Sequence, residues 1–190
     1  MQINALIHPL RLFSRHEALA TPCPVPSARG AYAWWFKTIP DGVPTAGCLH
    51  HEGRILLYVG ISPHSDRSTG TLRKRICRSH FNGNASGSTL RLTLGVLLTK
   101  SGCHPLRRTG RSERMTLTPP GELWLNNWME ENAKVCWVED SSPWLLEHTL
   151  LRCLSVPLNL QGNAHHAYSA HLSALRSEAR QAARIAPVFG

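Results

Sequence analysis

The segment "RILLYVGIS", residues 54–62, is a short apolar run that closes on tyrosine, valine, glycine and two further residues. Its length and its branched and aromatic residues predict a strand. Upstream, "GAYAWWFKTI" (residues 30–39) alternates Tyr32, Trp34 and Phe36 on one face, which is the period-2 pattern of a second strand. A turn-rich connection separates the two segments, so we expect them to pair antiparallel.

The remaining elements are read from helical periodicity, caps and turn residues. We expect a short helix within residues 1–20, a very basic helix over 71–81, a helix capped by Ser88, an exposed loop over 104–120, a helix over 118–132, a third strand over 134–139, and helices over 141–154 and 167–186. This order predicts an α+β fold with a small, three-stranded, mainly antiparallel sheet flanked by helices.

The chain length of 190 residues suits one domain with modest extensions. We expect a helix and a proline-rich lead-in over residues 1–29, a catalytic or binding domain over 30–163 with an insertion at about 82–133, and a basic helix over 164–190.

The composition is strongly basic, with 21 Lys and Arg against 12 Asp and Glu, a net charge of +9 and a pI of about 9.8. A partner made of phosphates suits such a charge, because each neutralised phosphate releases counterions. Nucleic acid is therefore the predicted partner, ahead of an anionic membrane surface. The alternative is a basic surface that only aids solubility.

The six cysteines are spread along the chain without a C-x-x-C pair, and no apolar run has the length of a signal-peptide core or a bilayer span. These features predict reduced thiols, a cytoplasmic location and no membrane association. Histidine-rich segments near His50 and His165 lack the paired spacing of structural zinc sites, so we expect no zinc.

Glu147 is unusual because, on a helix, its neighbours at i+3, i+4 and i+7 are leucines. A carboxylate on an apolar face needs a cation, a metal or a hydrogen-bond donor. A structural ion pair with an arginine is the alternative. The basic helix after the Tyr-Val-Gly strand end carries four cations that suit phosphate oxygens: Arg73, Lys74, Arg75 and Arg78.

Taken in order, these features resemble the GIY-YIG endonucleases, including the N-terminal incision domain of bacterial excision nucleases. The resemblance rests on Gly30-Ala31-Tyr32, Tyr58-Val59-Gly60, the basic helix, and Glu147 placed twelve residues before Asn159, with Pro157 just before that asparagine. It covers residues 30 to about 163.

The resemblance implies roles for these residues. Tyr32 and Tyr58 would place their hydroxyls together, and one tyrosine would help activate the attacking water. Arg75 would steady the phosphate and its developing charge. Glu147 would be the sole carboxylate ligand of one divalent cation, Mg²⁺ or Mn²⁺, and Asn159 would help to shape the site.

Five further residues complete the predicted nucleic-acid contacts around the site. Gly60 would let the backbone and the nucleic acid approach closely. Arg73, Lys74 and Arg78 would contact phosphates from the basic helix, and Arg91 would do so beside the loop over residues 82–88. The arginine row of the last helix is interpreted either as a phosphate contact or as a solvated face.

Three departures from the family pattern stand out. The gap between Tyr32 and Tyr58 is longer than usual, and a long stretch over 82–133 precedes the third strand. The family often has His or Tyr four residues after the helix arginine, whereas His80 is five after Arg75. On an α-helix that places it about 140° away rather than about 40°. Either the helix ends or bulges near Cys77, or His80 is not the equivalent residue.

The sequence thus predicts a metal-dependent DNA endonuclease acting by activated-water attack at a single-metal site. RNA is an alternative substrate, and a monomer and a dimer are both compatible with the sequence. One alternative function is a nucleic-acid-binding module on the same fold that has lost catalysis. Another is a structural or interaction protein whose charge is incidental.

Overall fold

The computed structural model describes residues 2–110 and 114–189. Within those ranges the strands are β1 Gly30–Phe36, β2 His50–His51, β3 Arg54–Ser62, β4 Arg107–Arg108, β5 Met115–Thr116 and β6 Ala133–Glu139. The helices are α1 Gln2–Ile7, α2 Arg15–Ala18, α3 Thr89–Leu97, α4 Thr118–Asn132, α5 Pro143–Cys153 and α6 Ser169–Ile185. A π-helix spans Lys74–Phe81, and a short 3₁₀ helix spans Thr99–Ser101.

The main sheet has the order β2-β3-β1-β6, and its neighbouring strands are antiparallel. The α+β class and the antiparallel pairing of β1 with β3 are confirmed. The prediction of three strands is wrong, because His50 and His51 add a fourth. They pair with Ile55 and Arg54 across a two-residue turn in which Glu52 and Gly53 both have positive φ.

The central strand β1 is buried along its whole length and contributes to a core on each side of the sheet. Tyr32, Trp34 and Phe36 share one face, as their alternation predicts, and that face is covered by the π-helix, α3, α4 and α6. The opposite face carries Ala33 and Trp35, and it packs against α1 and α5. The sheet is therefore a buried central layer between helical layers.

A β-bulge in β3 lies next to Tyr58. Trp34 pairs with Tyr58, but the next residue, Trp35, pairs with Leu56, so Leu57 has no partner on β1. Leu57 and Tyr58 consequently face the same core, although they are adjacent in sequence. The regular pairing of Trp34 with Tyr58 places Tyr58 on the same face of the sheet as Tyr32, and the bulge adds Leu57 to that face.

The segment before β1 protects the outer edge of β6. Phe13 and Val135 exchange two backbone hydrogen bonds of 2.9 Å each, and α1 packs against β1 and β6. A capping box at Ser14 and Glu17 begins α2. Residues 2–29 therefore complete the sheet edge.

The predicted exposed loop over residues 104–120 is wrong in part. Arg107 and Arg108 pair with Thr116 and Met115 in the small β4–β5 hairpin, and Leu106 and Leu117 are buried. Residues 111–113 at its tip lie outside the described residues. The predicted helix bounds of α4, Thr118 to Asn132, are confirmed.

None of the helices formed by residues 2–110 and 114–189 is both long and apolar enough to cross a lipid bilayer.

Candidate active site

A cleft of about 810 Å³ opens where the ends of β1 and β3 meet the π-helix, α5 and α6. Most of the residues singled out in the sequence line this one cleft: Tyr32, Tyr58, Gly60, Lys74, Arg75, Glu147 and Asn159. They come from five parts of the chain that only the fold brings together.

Tyr32 is the centre of a buried polar cluster at the base of the cleft. Its Oη lies 2.8 Å from His80 Nε2 and accepts a hydrogen bond of 3.3 Å from Arg75 Nε. Burial raises the pKa of Tyr32 well above its usual value, and the nearby Tyr58 adds to this, while the charge of Arg75 opposes it. The phenol is therefore protonated at neutral pH.

Gly60 is required by Tyr32. The two residues are paired across β1 and β3, and the ring of Tyr32 lies over the glycine. A Cβ at position 60 would lie 2.5 Å from Tyr32 Oη and 2.6 Å from Cζ. The absence of a side chain at Gly60 thus makes room for the phenol, in addition to leaving the cleft wall open at that point.

The π-helix explains how His80 reaches Tyr32 although it is five residues, and not four, after Arg75. Its i→i+5 hydrogen bonds, such as Asn82 N to Cys77 O at 3.0 Å, widen each turn by about one residue relative to an α-helix. Five residues then make about one turn, and Arg75 and His80 both reach Tyr32 Oη. Of the two alternatives left by the sequence, the bulged helix is the one observed.

His80 is completely buried and neutral. Burial lowers its pKa well below the usual histidine value, and the charges of Arg75 and Arg91 lower it further. Its second ring nitrogen, Nδ1, lies 2.7 Å from Ser88 Oγ. Ser88 is also the N-cap of α3, where its Oγ accepts a hydrogen bond from Arg91 N. The cap of one helix therefore fixes the orientation of the imidazole.

Arg91 is buried away from the cleft and has no exposed surface. Its guanidinium forms a salt bridge of 2.6 Å with Glu122 and donates to the carbonyl oxygen of His80 and to Asn126 Oδ1. Every guanidinium nitrogen is bonded within the protein. We therefore assign Arg91 a structural role at the end of the π-helix in place of the predicted phosphate contact.

Glu147 lies on α5 and is half-buried in the cleft wall. Burial raises the pKa of its carboxyl, and the charges of His64 and Arg75 partly oppose the effect. Among the described residues none donates a hydrogen bond to this carboxylate or forms a salt bridge of 4 Å or less with it. The described residues therefore do not form the structural ion pair between Glu147 and an arginine that was the alternative prediction.

Asn159 is buried and holds the strand that carries Tyr58 and Gly60. Its Oδ1 accepts from Val59 N at 2.9 Å, and its Nδ2 donates to Val59 O at 2.8 Å. Leu158 N donates to Leu57 O beside it. The side chain thus acts as a short strand partner along the edge of β3 beyond β2.

Residues outside the motifs also line the cleft, among them His64, Thr89, Arg176 and Arg180. Thr89 Oγ1 lies 3.3 Å from Tyr58 Oη, and His64 is close enough to Glu147 to lower its pKa. Arg176 and Arg180 reach the cleft from α6. The i,i+4 spacing of these arginines is visible in the sequence, but their position at the cleft depends on how α6 packs.

Of the three other cations predicted to contact phosphates, only one lines the cleft. Arg73 and Arg78 are exposed and do not line the cleft, and Arg73 Nε donates to Val25 O at 2.7 Å. Lys74 is exposed and does line it.

Comparison with protein families gives a match to the GIY-YIG catalytic domain over residues 30–180, most of the chain. The match begins at the first residue of β1 and ends within α6. Neither the curated proteins nor the solved structures with which the chain was compared gave a match. The order of β1, β3, the basic helix and α5, and the length of the family match, together show that this chain belongs to the GIY-YIG family.

Proposed function

We propose that this chain is a divalent-metal-dependent DNA endonuclease that hydrolyses phosphodiester bonds by attack of an activated water molecule at a single-metal site. The observation that carries this proposal is the convergence of two tyrosines, an arginine and an unpaired carboxylate on one cleft. Membership of the family indicates a nuclease and implies a nucleic-acid substrate.

Glu147 is the proposed metal ligand. Nucleases of this family generally depend on a divalent cation. Within residues 2–110 and 114–189, no three His, Cys, Asp or Glu side chains are grouped so that they could hold a metal. A cation at Glu147 would complete its coordination with water and substrate oxygens, which suits Mg²⁺ or Mn²⁺. Bound there, the cation would polarise the phosphate and lower the pKa of a bound water.

Arg75 is proposed to bind the scissile phosphate. Its guanidinium is held in place because Nε donates to Tyr32 Oη and Nη1 donates to Gly87 O at 3.3 Å. A guanidinium fixed in this way does not reorganise when charge develops on the phosphate oxygens, so it stabilises the transition state effectively.

Tyr32 is proposed to orient the attacking water, with His80 as a positioning residue behind it. The neutral imidazole offers one donor and one acceptor nitrogen. Because Arg75 already donates to Tyr32 Oη, the phenol proton is available to donate to His80 Nε2, and Nδ1–H then donates to Ser88 Oγ. This arrangement leaves an oxygen lone pair of Tyr32 for a hydrogen bond from water in the cleft.

Tyr58 and Asn159 support this geometry. The Tyr58 hydroxyl lines the cleft beside Thr89, where it can donate a hydrogen bond to a phosphate oxygen. Asn159 is proposed to contact neither the substrate nor the metal. Its role is to hold β3 in place through its two hydrogen bonds with Val59.

The test is cleavage of supercoiled plasmid with Mg²⁺, Mn²⁺ or EDTA by wild type, Glu147→Gln and Glu131→Gln. Glu131 is exposed on α4, so its substitution removes the same charge at a distance from the cleft. We expect metal-dependent nicking or linearisation by wild type and Glu131→Gln, and a loss of about 100-fold or more in Glu147→Gln.

Equal cutting by wild type and Glu147→Gln would remove Glu147 from the site. Binding of DNA without cutting in any metal would favour a binding module that has lost catalysis. A parallel assay with RNA of the same sequence distinguishes the two substrate classes, and faster cutting of RNA would overturn the assignment to DNA.

A further inference from the structure

A second cavity of about 540 Å³ adjoins the cleft. Both cavities are lined by Arg75, Thr89, Arg176 and Arg180, so together they form one groove that leads away from the cleft along α6. Arg184 lines only the second cavity. We call Arg176, Arg180 and Arg184 the α6 arginine row.

Arg176 is the key residue of this row because it is buried and none of the described residues forms a hydrogen bond or salt bridge with its guanidinium. It is 8% exposed, its Nε makes no hydrogen bond, and among the described residues no carboxylate lies within 4 Å of its guanidinium. Burial lowers its pKa, and the charge of Arg180 lowers it further. A buried unpaired cation destabilises a fold unless an anion compensates it.

The contrast with Arg91 shows that this fold does satisfy a buried arginine elsewhere. Arg91 is also buried, and Glu122 neutralises it at 2.6 Å. Within residues 2–110 and 114–189, no acidic residue serves Arg176 in the same way. The only acidic residue of α6, Glu178, is exposed and is two positions from Arg176, which places it on a different face of the helix.

The spacing of the α6 arginine row along the helix axis is similar to the spacing of phosphates along a nucleic-acid strand. Residues four apart on an α-helix lie about 6 Å apart along its axis, which is close to the separation of successive phosphates in a nucleic-acid strand. The rest of the second cavity is lined largely by apolar or small side chains, including Leu92, Leu106 and Met115. Such a surface suits sugars and bases next to a charged track.

We propose that the α6 arginine row binds the backbone of the nucleic-acid strand that carries the scissile phosphate, with Arg176 on the phosphate next to it and Arg184 farthest from the cleft. This inference rests on the proposed function, since it uses the cleft as the position of the scissile phosphate. It assigns a path for the strand along α6 and a phosphate-binding role to a helix that follows the catalytic motifs.

The test measures binding without cleavage. Fluorescence anisotropy of a labelled 20-nucleotide DNA, single-stranded and as a duplex, is recorded in EDTA at several salt concentrations for the full chain. The variants are Arg176→Gln, Arg184→Gln and, as a matched control, Arg152→Gln, which removes an exposed charge from α5. Thermal melts accompany each variant.

We expect Arg176→Gln to weaken binding about 10-fold or more and Arg184→Gln about 3-fold, with each lowering the salt slope by about 1. The control should change affinity less than about 2-fold. Arg184 is exposed, so its substitution tests the row even if Arg176→Gln alters the fold.

Binding by both row variants that equals the control would overturn the inference. So would a selective loss of binding to polyglutamate or to phosphatidylserine vesicles with DNA binding intact, because the row would then serve an acidic peptide or a membrane. Failure of the plasmid assay with DNA binding still dependent on Arg176 would reject the proposed catalysis while leaving the strand contact in place.

Discussion

Tyr32 Oη lies 2.8 Å from His80 Nε2, although the two residues are 48 positions apart. His80 is five residues after Arg75, whereas a spacing of four would place both side chains on one face of an α-helix. The contact depends on the π-helix, which returns His80 to the side of the helix that faces Tyr32. A backbone irregularity therefore positions the partner of the residue on which the proposed chemistry depends.

Shortening this helix by one residue tests that relationship. We predict that deletion of the exposed Arg78 retains activity within about 10-fold of Arg78→Ala, because an α-helix with His80 four positions after Arg75 also brings both side chains to one face. His80→Ala should lose more. Cleavage rates and melting temperatures of the three variants are compared. A folded deletion variant as inactive as His80→Ala would contradict the prediction.

Gly60→Ala should impair the site without unfolding the protein. The new methyl group would overlap the Tyr32 phenol, so the hydroxyl must move, and a displacement of about 1 Å costs about 100-fold in rate. The comparison is Gly42→Ala. Gly42 has a φ of 78° and open space around it, so this change strains the backbone without touching the cleft. Activity loss of equal size in both variants would show that Gly60 has no specific role.

Glu147→Gln should raise the melting temperature by about 2 °C at neutral pH. Burial raises the pKa of Glu147, so the ionised carboxylate is less stable in the fold than in the unfolded chain. The wild type thus loses stability as the pH rises through the ordinary glutamate pKa toward the raised value. The difference in melting temperature between wild type and Glu147→Gln should disappear as the pH falls from the raised pKa to below the ordinary glutamate pKa. A gap that is independent of pH would contradict this.

Asn159→Ala should lower the free energy of unfolding by about 2–4 kcal/mol, because the buried N–H and carbonyl groups of Val59 both lose their partner. It should also slow cleavage, since Val59 lies between Tyr58 and Gly60. Asn163→Ala removes two other buried hydrogen bonds and leaves Val59 paired. Denaturant unfolding and cleavage by the folded fraction are measured for both. Normal cleavage by Asn159→Ala would restrict Asn159 to stability.

Part of the fold can be predicted from the sequence, because some elements are determined by residues that are close together along the chain. The alternation around Tyr32 predicts β1, Ser88 predicts the cap of α3, and the bounds of α4 follow from Thr118, two prolines and Asn132. The two-residue strand β2 and the β4–β5 hairpin are too short for a periodicity to reveal them.

The site can be predicted from the sequence only in part. The order of the motifs along the chain indicates which residues form the site, but it does not indicate their contacts. The spacing of Arg75 and His80 leaves a bulge near Cys77 as one of two alternatives, and no residue pattern indicates the β-bulge at Leu57. Arg91 and Arg176 are both arginines on helices, yet one is neutralised by Glu122 and the other lies between two cavities. Only the packing of α3, α4 and α6 distinguishes them.

The central proposal is that Tyr32 orients the attacking water, Arg75 binds the scissile phosphate, and the two act as one coupled unit. Its most direct test is a double-mutant cycle on single-turnover cleavage of a labelled DNA duplex, with Tyr32→Phe, Arg75→Gln and the double variant at saturating enzyme and Mg²⁺. Because Arg75 donates to Tyr32 Oη, each substitution disturbs the other residue. We predict that the double variant is slowed by clearly less than the product of the two single effects. Effects that multiply would show that the two residues act independently and would contradict the account.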